Sequence, residues 1–357
     1  MNRRRRIFGT FGLAAALAVT SAACSSGSGD GVALTGAGST FAQPMYATWS
    51  KAFLGVESGA KINYQAIGSG GGVQQFTAKS VAFGATDVPL QTEEISALKG
   101  AAYIEFPTVL GAVTVVYHTT GVPNGLNLDG TTLADIFLGK VTKWNDPEIT
   151  ALNSGVSLPA TPIQTVHRAD ESGTTAVFTG WLAKQSSTWS SQIGAGKSVQ
   201  WSGGTSANGN DGVAAGVSQG EGTIGYVSYD FAVTAHLTFA SMKAPSGQFV
   251  APSTASISAA GGGLQFPITP TTNILDSTTT GAYPIASTTY VLIYKDQTDE
   301  KVAQTLVDFW TWALTKGQAS ATSVNYAPLP SNIATQSLQQ VASITANGKA
   351  VKASSKV

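Results

Sequence analysis

Residues 163–182, Ile163-Gln164-Thr165-Val166-His167-Arg168-Ala169-Asp170-Glu171-Ser172-Gly173-Thr174-Thr175-Ala176-Val177-Phe178-Thr179-Gly180-Trp181-Leu182, run from a strand through a charged turn into a helix. Ile163–Val166 reads as a short strand. Val177, Phe178, Trp181 and Leu182 recur at helical spacing. Between the two, Arg168 and Asp170 precede Ser172-Gly173-Thr174. A helix start leaves about four backbone N–H groups unpaired and carries a partial positive charge. Glycine lets a ligand approach that backbone, and Ser or Thr adds a hydroxyl donor, so the turn is a ready anion site.

Two other segments repeat the design. Gly36-Ala37-Gly38-Ser39-Thr40-Phe41 stands before a helix marked by Met45, Trp49 and Phe53, with Pro44 tolerable in its first turn. Gly68-Ser69-Gly70-Gly71-Gly72 stands before Val73-Gln74-Gln75-Phe76. Any one of these is most simply an ordinary helix cap. Three in one chain are better explained by convergence on a single oxyanion. Arg168 suits such a ligand, because its planar fork matches phosphate oxygens.

The aspartates are more informative. Asp87 lies in Phe83-Gly84-Ala85-Thr86-Asp87-Val88-Pro89, a strand-end pattern, and Asp170 lies two residues after Arg168. A carboxylate repels a fully deprotonated anion but accepts a hydrogen bond from one that keeps a proton. Monohydrogen phosphate keeps one at neutral pH and sulfate does not. A buried acceptor without a donor costs about 1–3 kcal/mol, so one acid can discriminate between the two. The alternative, that Asp170 only clamps Arg168 and Asp87 only caps a turn, stays open at this point.

The N-terminus carries an address. Arg3 to Arg6 form a basic stretch, Ile7 to Val19 is apolar, and Ser21-Ala22-Ala23 precedes Cys24. This is the layout of a secretory signal peptide over residues 1–23, and the apolar stretch is short of the roughly 20 residues of a spanning helix. Cys24 is the sole cysteine, so no internal disulfide framework is expected. A lone cysteine after small residues resembles a lipobox, although Ser21 stands where Leu is usual; residues 24–33 then read as a lipidated tether. The 357 residues less 23 leave 334, enough for two domains. Removing four arginines from 20 basic residues leaves 16 against 20 acids, a net charge of −4. Nucleic-acid binding by a basic face gains no support from this charge, and a bound anion must be held by local dipoles and a few placed charges.

Elsewhere apolar runs alternate with helical patterns. Lys61–Ile67, the run within Tyr103–Thr119, Thr223–Val227 and Thr289–Tyr294 read as strands, and Leu133–Leu138 as a helix ending at Gly139. Val302, Leu306, Phe309, Trp310 and Ala313 form one helical face, with Gly317 as its stop. Trp181, Trp310 and Trp312 are assigned to packing. The alternation predicts an α/β architecture with sheets covered on both faces. Ser191–Ser198 misses the first glycine of a phosphate-binding P-loop and reads as a surface turn. His118 and His236 have no metal-ligand spacing. Neither a metal nor a cofactor is expected, and no nucleophile and base that a phosphatase would need can be named.

The strings LTGAGSTFAQPMYATW, NYQAIGSGGGVQQF, FGATDVPL, HRADESGTTAVF, GNDGVAAGV, GTIGYVSY and TTYVLIYKDQ resemble, in order from Leu34 to about Pro330, the phosphate-binding proteins of bacterial phosphate-specific (Pst) ABC importers. The resemblance implies a two-domain class II periplasmic-binding-protein-like α/β fold. Each domain would be a mixed sheet flanked by helices, with the ligand cleft between them. Residues 34–112 plus 287–357 would form domain I and 113–286 domain II, closing about hinges near Ala112 and Ser287. It implies no enzyme, but high-affinity capture of inorganic phosphate outside the cytoplasmic membrane. Delivery would be to an importer of two permease subunits and an ATPase, by a monomer held on the membrane's outer face through lipid on Cys24. Carried over position by position, Thr40 and the Phe41 amide make the first contact and Ser69 supplies a hydroxyl. Asp87 accepts the phosphate proton, Arg168 is paired with Asp170, and Ser172, the Gly173 amide and Thr174 complete the cage. The family often has a second basic residue where His167 stands and usually glycine where Glu171 stands; local positive charge is then smaller, an extra carboxylate beside the anion is unfavourable unless it points outward, and both departures bear on affinity more than on ligand identity. A binder of sulfate or molybdate, a lipoprotein phosphatase, and a surface lipoprotein with a vestigial pocket are the other readings.

Overall fold

The structure, a computed structural model, describes residues 32–357. The segment expected to be a signal peptide, Cys24 and nearly all of the expected tether lie outside the described residues. The sheet is mixed and has nine strands. β1 (Ala33–Gly38) lies between the parallel strands β2 (Lys61–Ala66) and β3 (Phe83–Thr86). The strand Ala286–Tyr294 runs antiparallel between β3 and β4 (Tyr103–His118). Beyond it β4 pairs with Thr223–Ser228, which is followed by the parallel strands Gln164–Arg168 and Thr205–Ala207. The sixteen residues of β4 divide their pairing: Tyr103–Ala112 face Ala286–Tyr294, and Val113–His118 face Thr223–Ser228. One strand thus belongs to both ends of the sheet.

This topology positions the site. Ligands of open α/β sheets bind outside the carboxyl ends of the strands, where helix N-termini gather. β1 ends at Gly38, just before Ser39 and Thr40, and β2 ends two residues before Gly68. β3 ends at Thr86, and the strands Gln164–Arg168 and Thr205–Ala207 lead into Asp170 and into Gly209-Asn210.

The helices form as the apolar spacing predicts. In α1 (Gln43–Phe53) Pro44 occupies the first turn and Met45, Tyr46, Trp49 and Phe53 are buried. Trp49 and Tyr46 stack at 5.7 Å, and both meet Trp310 of the helix Glu300–Leu314 edge-on. Trp181 packs in the core while its indole N–H donates to Asp276 at 2.8 Å. Three readings need correction. Gly317 is not a helix stop: the helix Glu300–Leu314 is capped at Thr315 and a 3-10 helix continues over Lys316–Val324. Gly317 is favoured by close packing: its carbonyl accepts from the Trp49 indole at 2.8 Å, and an added Cβ would crowd that ring at 3.0 Å and Trp312 at 3.2 Å. The strand expected at Ile163–Val166 extends over Gln164–Arg168, because pairing to Thr205–Ala207 draws His167 and Arg168 into the ladder. Ser191–Ser198 is more than a surface turn: the Lys197 carbonyl accepts the Ser172 N–H at 2.8 Å, and its ammonium pairs with Glu94. Among the described residues no helix is long and apolar enough to cross a membrane.

Candidate ligand site

Asp87, directly after β3, is buried. Its Oδ1 accepts the Ser39 hydroxyl at 2.5 Å and the Thr289 hydroxyl at 2.8 Å. Its Oδ2 has only the long contact from the Ser69 hydroxyl, at 3.3 Å. One carboxylate oxygen is therefore anchored and the other is left with accepting capacity. Burial raises the Asp87 pKa, while the hydrogen bonds from Ser39 and Thr289, the Arg168 charge and Ser69 partly offset it. The Ser287 hydroxyl donates to the Asp87 carbonyl at 3.0 Å, so Ala286–Tyr294 holds both the backbone and the carboxylate of this residue.

Ser69 opens α2 (Ser69–Thr77) after Gly68, whose φ of 86° is one that L side chains rarely adopt. A Cβ on Gly68 would also lie 2.4 Å from Asp170 Oδ2. The glycines after Ser69 lie inside the helix rather than before it, despite a propensity penalty of roughly 1 kcal/mol each. Close approach explains them. A Cβ on Gly72 would meet the Gly38 Cα at 2.4 Å, and one on Gly38 the Ala85 carbonyl at 2.0 Å. The wall here is bare backbone. The Gly70 N–H is taken by the Glu171 carbonyl at 2.9 Å, so this helix start presents fewer free amides than a simple terminus.

The opposite wall comes from the helix Gly173–Gln185. Its N-cap Ser172 accepts the Thr175 N–H at 3.1 Å, which leaves the Ser172 hydroxyl proton free to donate. A Cβ on Gly173 would stand 2.3 Å from Ser69 Oγ and 2.5 Å from Asp87 Oδ2, so Gly173 faces both directly. The Arg168 side chain is almost wholly buried. Its Nε donates to Asp170 Oδ1 at 2.7 Å, its Nη2 pairs with Oδ2, and its Nη1 reaches Thr174 Oγ1 at 3.4 Å. Burial alone would raise the Asp170 pKa, but the Arg168 hydrogen bonds and charge outweigh it and hold the carboxyl below its usual range.

Asn210 bridges the walls, its Nδ2 donating to Thr40 Oγ1 at 2.9 Å and to Thr174 Oγ1 at 3.3 Å. The structure thus brings Thr40, Ser69, Asp87, Arg168, Asp170, Ser172, Gly173 and Thr174 into one contiguous cluster, buried except at the half-buried Asp170. Phe41 sits beside Thr40, with its ring packed in the core on Gly111 and Tyr326, so only its backbone is near the cluster. Ser39, Thr289 and Asn210 belong to the cluster and were assigned no role from sequence. Ser39 lay within the first Gly/Ser/Thr segment, and Asn210 within GNDGVAAGV. Thr289 opens an apolar strand with no local sign of its role. Glu171 is exposed; Gln74 donates to its carboxylate at 3.4 Å, and a Cβ on Gly70 would lie 2.2 Å from its Oε2, so the carboxylate stands over the start of α2. His167 stacks on Trp201 at 4.7 Å, and burial lowers its pKa, so it adds no cation at neutral pH. Beside Asp87 opens a cleft of about 300 Å³ lined by Gln91, Lys197, Pro270 and Tyr290 among others.

The chain was compared with known proteins. The PBP superfamily domain matches residues 18–316. The phosphate-binding protein PstS of Pasteurella multocida is 40% identical over 303 residues, covering 84% of this chain and 87% of that protein. PstS of Methanocaldococcus jannaschii is 32% identical over 327 residues, covering 85% of this chain and 84% of the relative. In fold, the chain is similar to a high-affinity periplasmic phosphate-binding protein solved with phosphate, at a TM-score of 0.68 and 22% identity, covering 85% of this chain and 92% of that one. With a superfamily match along most of its length and curated relatives at this identity, the chain belongs to the PstS phosphate-binding proteins of the PBP superfamily.

Proposed function

We propose that this protein is a solute-binding protein, not an enzyme, that captures inorganic phosphate and delivers it to an ABC importer. One observation carries the reading furthest: a buried carboxylate with one anchored and one open oxygen, Asp87, opposes a buried arginine neutralised by its own aspartate. Thr40, the Phe41 amide, Ser69, Ser172, the Gly173 amide and Thr174 complete a shell of donors around the ligand. Arg168 with Asp170 contributes little net charge, so selection rests on donor count and on the single acceptor. A protonated oxyanion satisfies that acceptor, whereas sulfate leaves it unpaired, at a cost of about 1–3 kcal/mol or more for a charged group.

In the same reading the protein is exported, acylated on Cys24 and works as a monomer at the outer face of the cytoplasmic membrane. It docks on the permease subunits of its importer. Residues 34–112 plus 287–357 and residues 113–286 act as two domains, hinged where Ala112 pairs with Ala286 and Gly111 with Ser287. The testing experiment is calorimetric competition of phosphate against sulfate across pH. Phosphate should win by tenfold or more at neutral pH; equal binding of the two removes the reading.

A further inference from the structure

Asn210 is buried at the start of the helix Gly209–Gln219. Its Oδ1 accepts the Ser228 N–H at 3.0 Å, which fixes the orientation of the amide, because only the oxygen can accept. Nδ2 must then face the other way, where it reaches Thr40 and Thr174. An amide nitrogen can only donate, so both threonine oxygens are forced to accept. Thr174 Oγ1 accepts from Arg168 as well, so both its lone pairs are used. The remaining O–H of each threonine can only donate, and it must do so away from Asn210. The preceding residue completes the device: the Gly209 N–H donates to Asp170 Oδ1 at 3.1 Å and so steadies the Arg168 clamp.

We infer that Asn210 is a positioning residue that takes the last lone pair of Thr174, leaving that hydroxyl only its donor, turns the Thr40 O–H away from itself and toward the ligand, and ties the β1 end of the sheet to its far end in the bound form. The inference rests on the reading that these threonines hold phosphate. A hydroxyl free to rotate serves donors and acceptors alike. A hydroxyl whose two lone pairs are both taken, as at Thr174, serves acceptors only, and one whose proton is turned from its neighbour, as at Thr40, favours them, which biases the site toward anions at no cost in net charge. The tie to Thr40 also predicts where the kinetic effect falls. Opening must break this bond, whereas encounter does not require it, so its loss should speed release more than it slows capture.

The test is a double-variant cycle on the full chain, with inorganic phosphate as probe, read by calorimetry and stopped-flow fluorescence. Asn210→Ala should weaken phosphate binding at least tenfold, with most of the change in the release rate. Thr40→Val should weaken it comparably. The double variant should bind within about threefold of the weaker single variant, since both remove one linked device. Asn210→Asp, nearly isosteric, is the folding control: its oxygens would accept the threonine protons, so it should bind more weakly than Asn210→Ala at an unchanged melting temperature. Losses that multiply in the double variant, or a loss confined to the capture rate, overturn the inference while leaving the phosphate reading intact. A parent protein that binds no phosphate overturns both.

Discussion

Thr289 donates to Asp87 Oδ1 at 2.8 Å from the point where the pairing of Ala286–Tyr294 with β4 slips register. Up to Thr289 the ladder pairs it with Val109, and from Tyr290 onward it resumes at Pro107. The Thr108 hydroxyl, skipped in that register, donates to the Thr289 carbonyl at 3.1 Å and closes the irregularity. Such bulges re-aim side chains; here the re-aimed hydroxyl fixes the carboxylate on which selectivity depends.

Replacing Thr289 by valine keeps its shape and removes that bond. A hydrogen bond to a charged group contributes about 1.5–3 kcal/mol, so phosphate affinity should fall roughly ten- to hundredfold with the fold intact. The loss also removes an influence that lowers the Asp87 pKa, so the variant's binding should decline further as the pH falls. Calorimetry at two pH values checks both; an unchanged dissociation constant would show that Asp87 needs no anchor.

Asp87→Asn should narrow the preference for phosphate over sulfate, because an amide offers donors to an anion that brings no proton. Selectivity equal to that of the parent would strip Asp87 of the assigned role. Arg168→Ala should weaken both oxyanions alike and leave Asp170 without its cation.

Gly68→Ala places a Cβ 2.4 Å from Asp170 Oδ2 at a φ of 86°. At that φ and a ψ of 154° the backbone strain alone is roughly 1–3 kcal/mol, and the clash pushes Asp170 off Arg168. The melting temperature should drop by several degrees and phosphate affinity with it. A variant as stable and as tight as the parent would contradict the packing described.

Asp230 provides a pH prediction independent of the ligand. It is buried, neither carboxylate oxygen has a hydrogen-bond partner, and burial raises its pKa to about 7, only partly offset by the nearby Ser228 and Tyr326 hydroxyls. An acid with a raised folded pKa binds its proton more tightly folded than unfolded. Its contribution to stability is therefore lost as the pH climbs from the unfolded pKa, near 4, through about 7, and stays low above that. Asp230→Asn should raise the melting temperature at pH 8 and gain little at pH 4. Identical shifts at both pH values would refute the assignment.

Scattering tests the hinge. Addition of phosphate should compact the particle if residues near Ala112 and Ser287 flex. An unchanged radius of gyration would argue for a rigid cleft.

Much of this was legible because local chemistry was strong. The Ser172 cap, the Arg168–Asp170 pair and the buried face of Met45, Trp49 and Phe53 each follow from residues a few positions apart. What escaped depends on pairing across the chain. Thr289 acts through a bulge opposite Pro107, and Asn210 meets Thr40 across 170 positions of sequence. Gly317 was misread for the same reason. A glycine after a helix looks like a stop, and only the indole of Trp49, far away in sequence, shows that it is a seat for a ring. The start of α2 lies four residues before Val73, because its glycines serve packing inside the helix instead of preceding it.

The close approach of Gly72 to Gly38, and of Gly38 to the Ala85 carbonyl, means that α2, β1 and β3 meet backbone to backbone behind the residues that carry Thr40, Ser69 and Asp87. The spacing of these three elements is written in main chain, and a side chain added at either glycine would force them apart. Divergence toward other solutes is thus channelled into the chemistry of the few groups that can change, such as Asp87 and Arg168. The radius of the accepted anion should be the most slowly drifting property of such a protein.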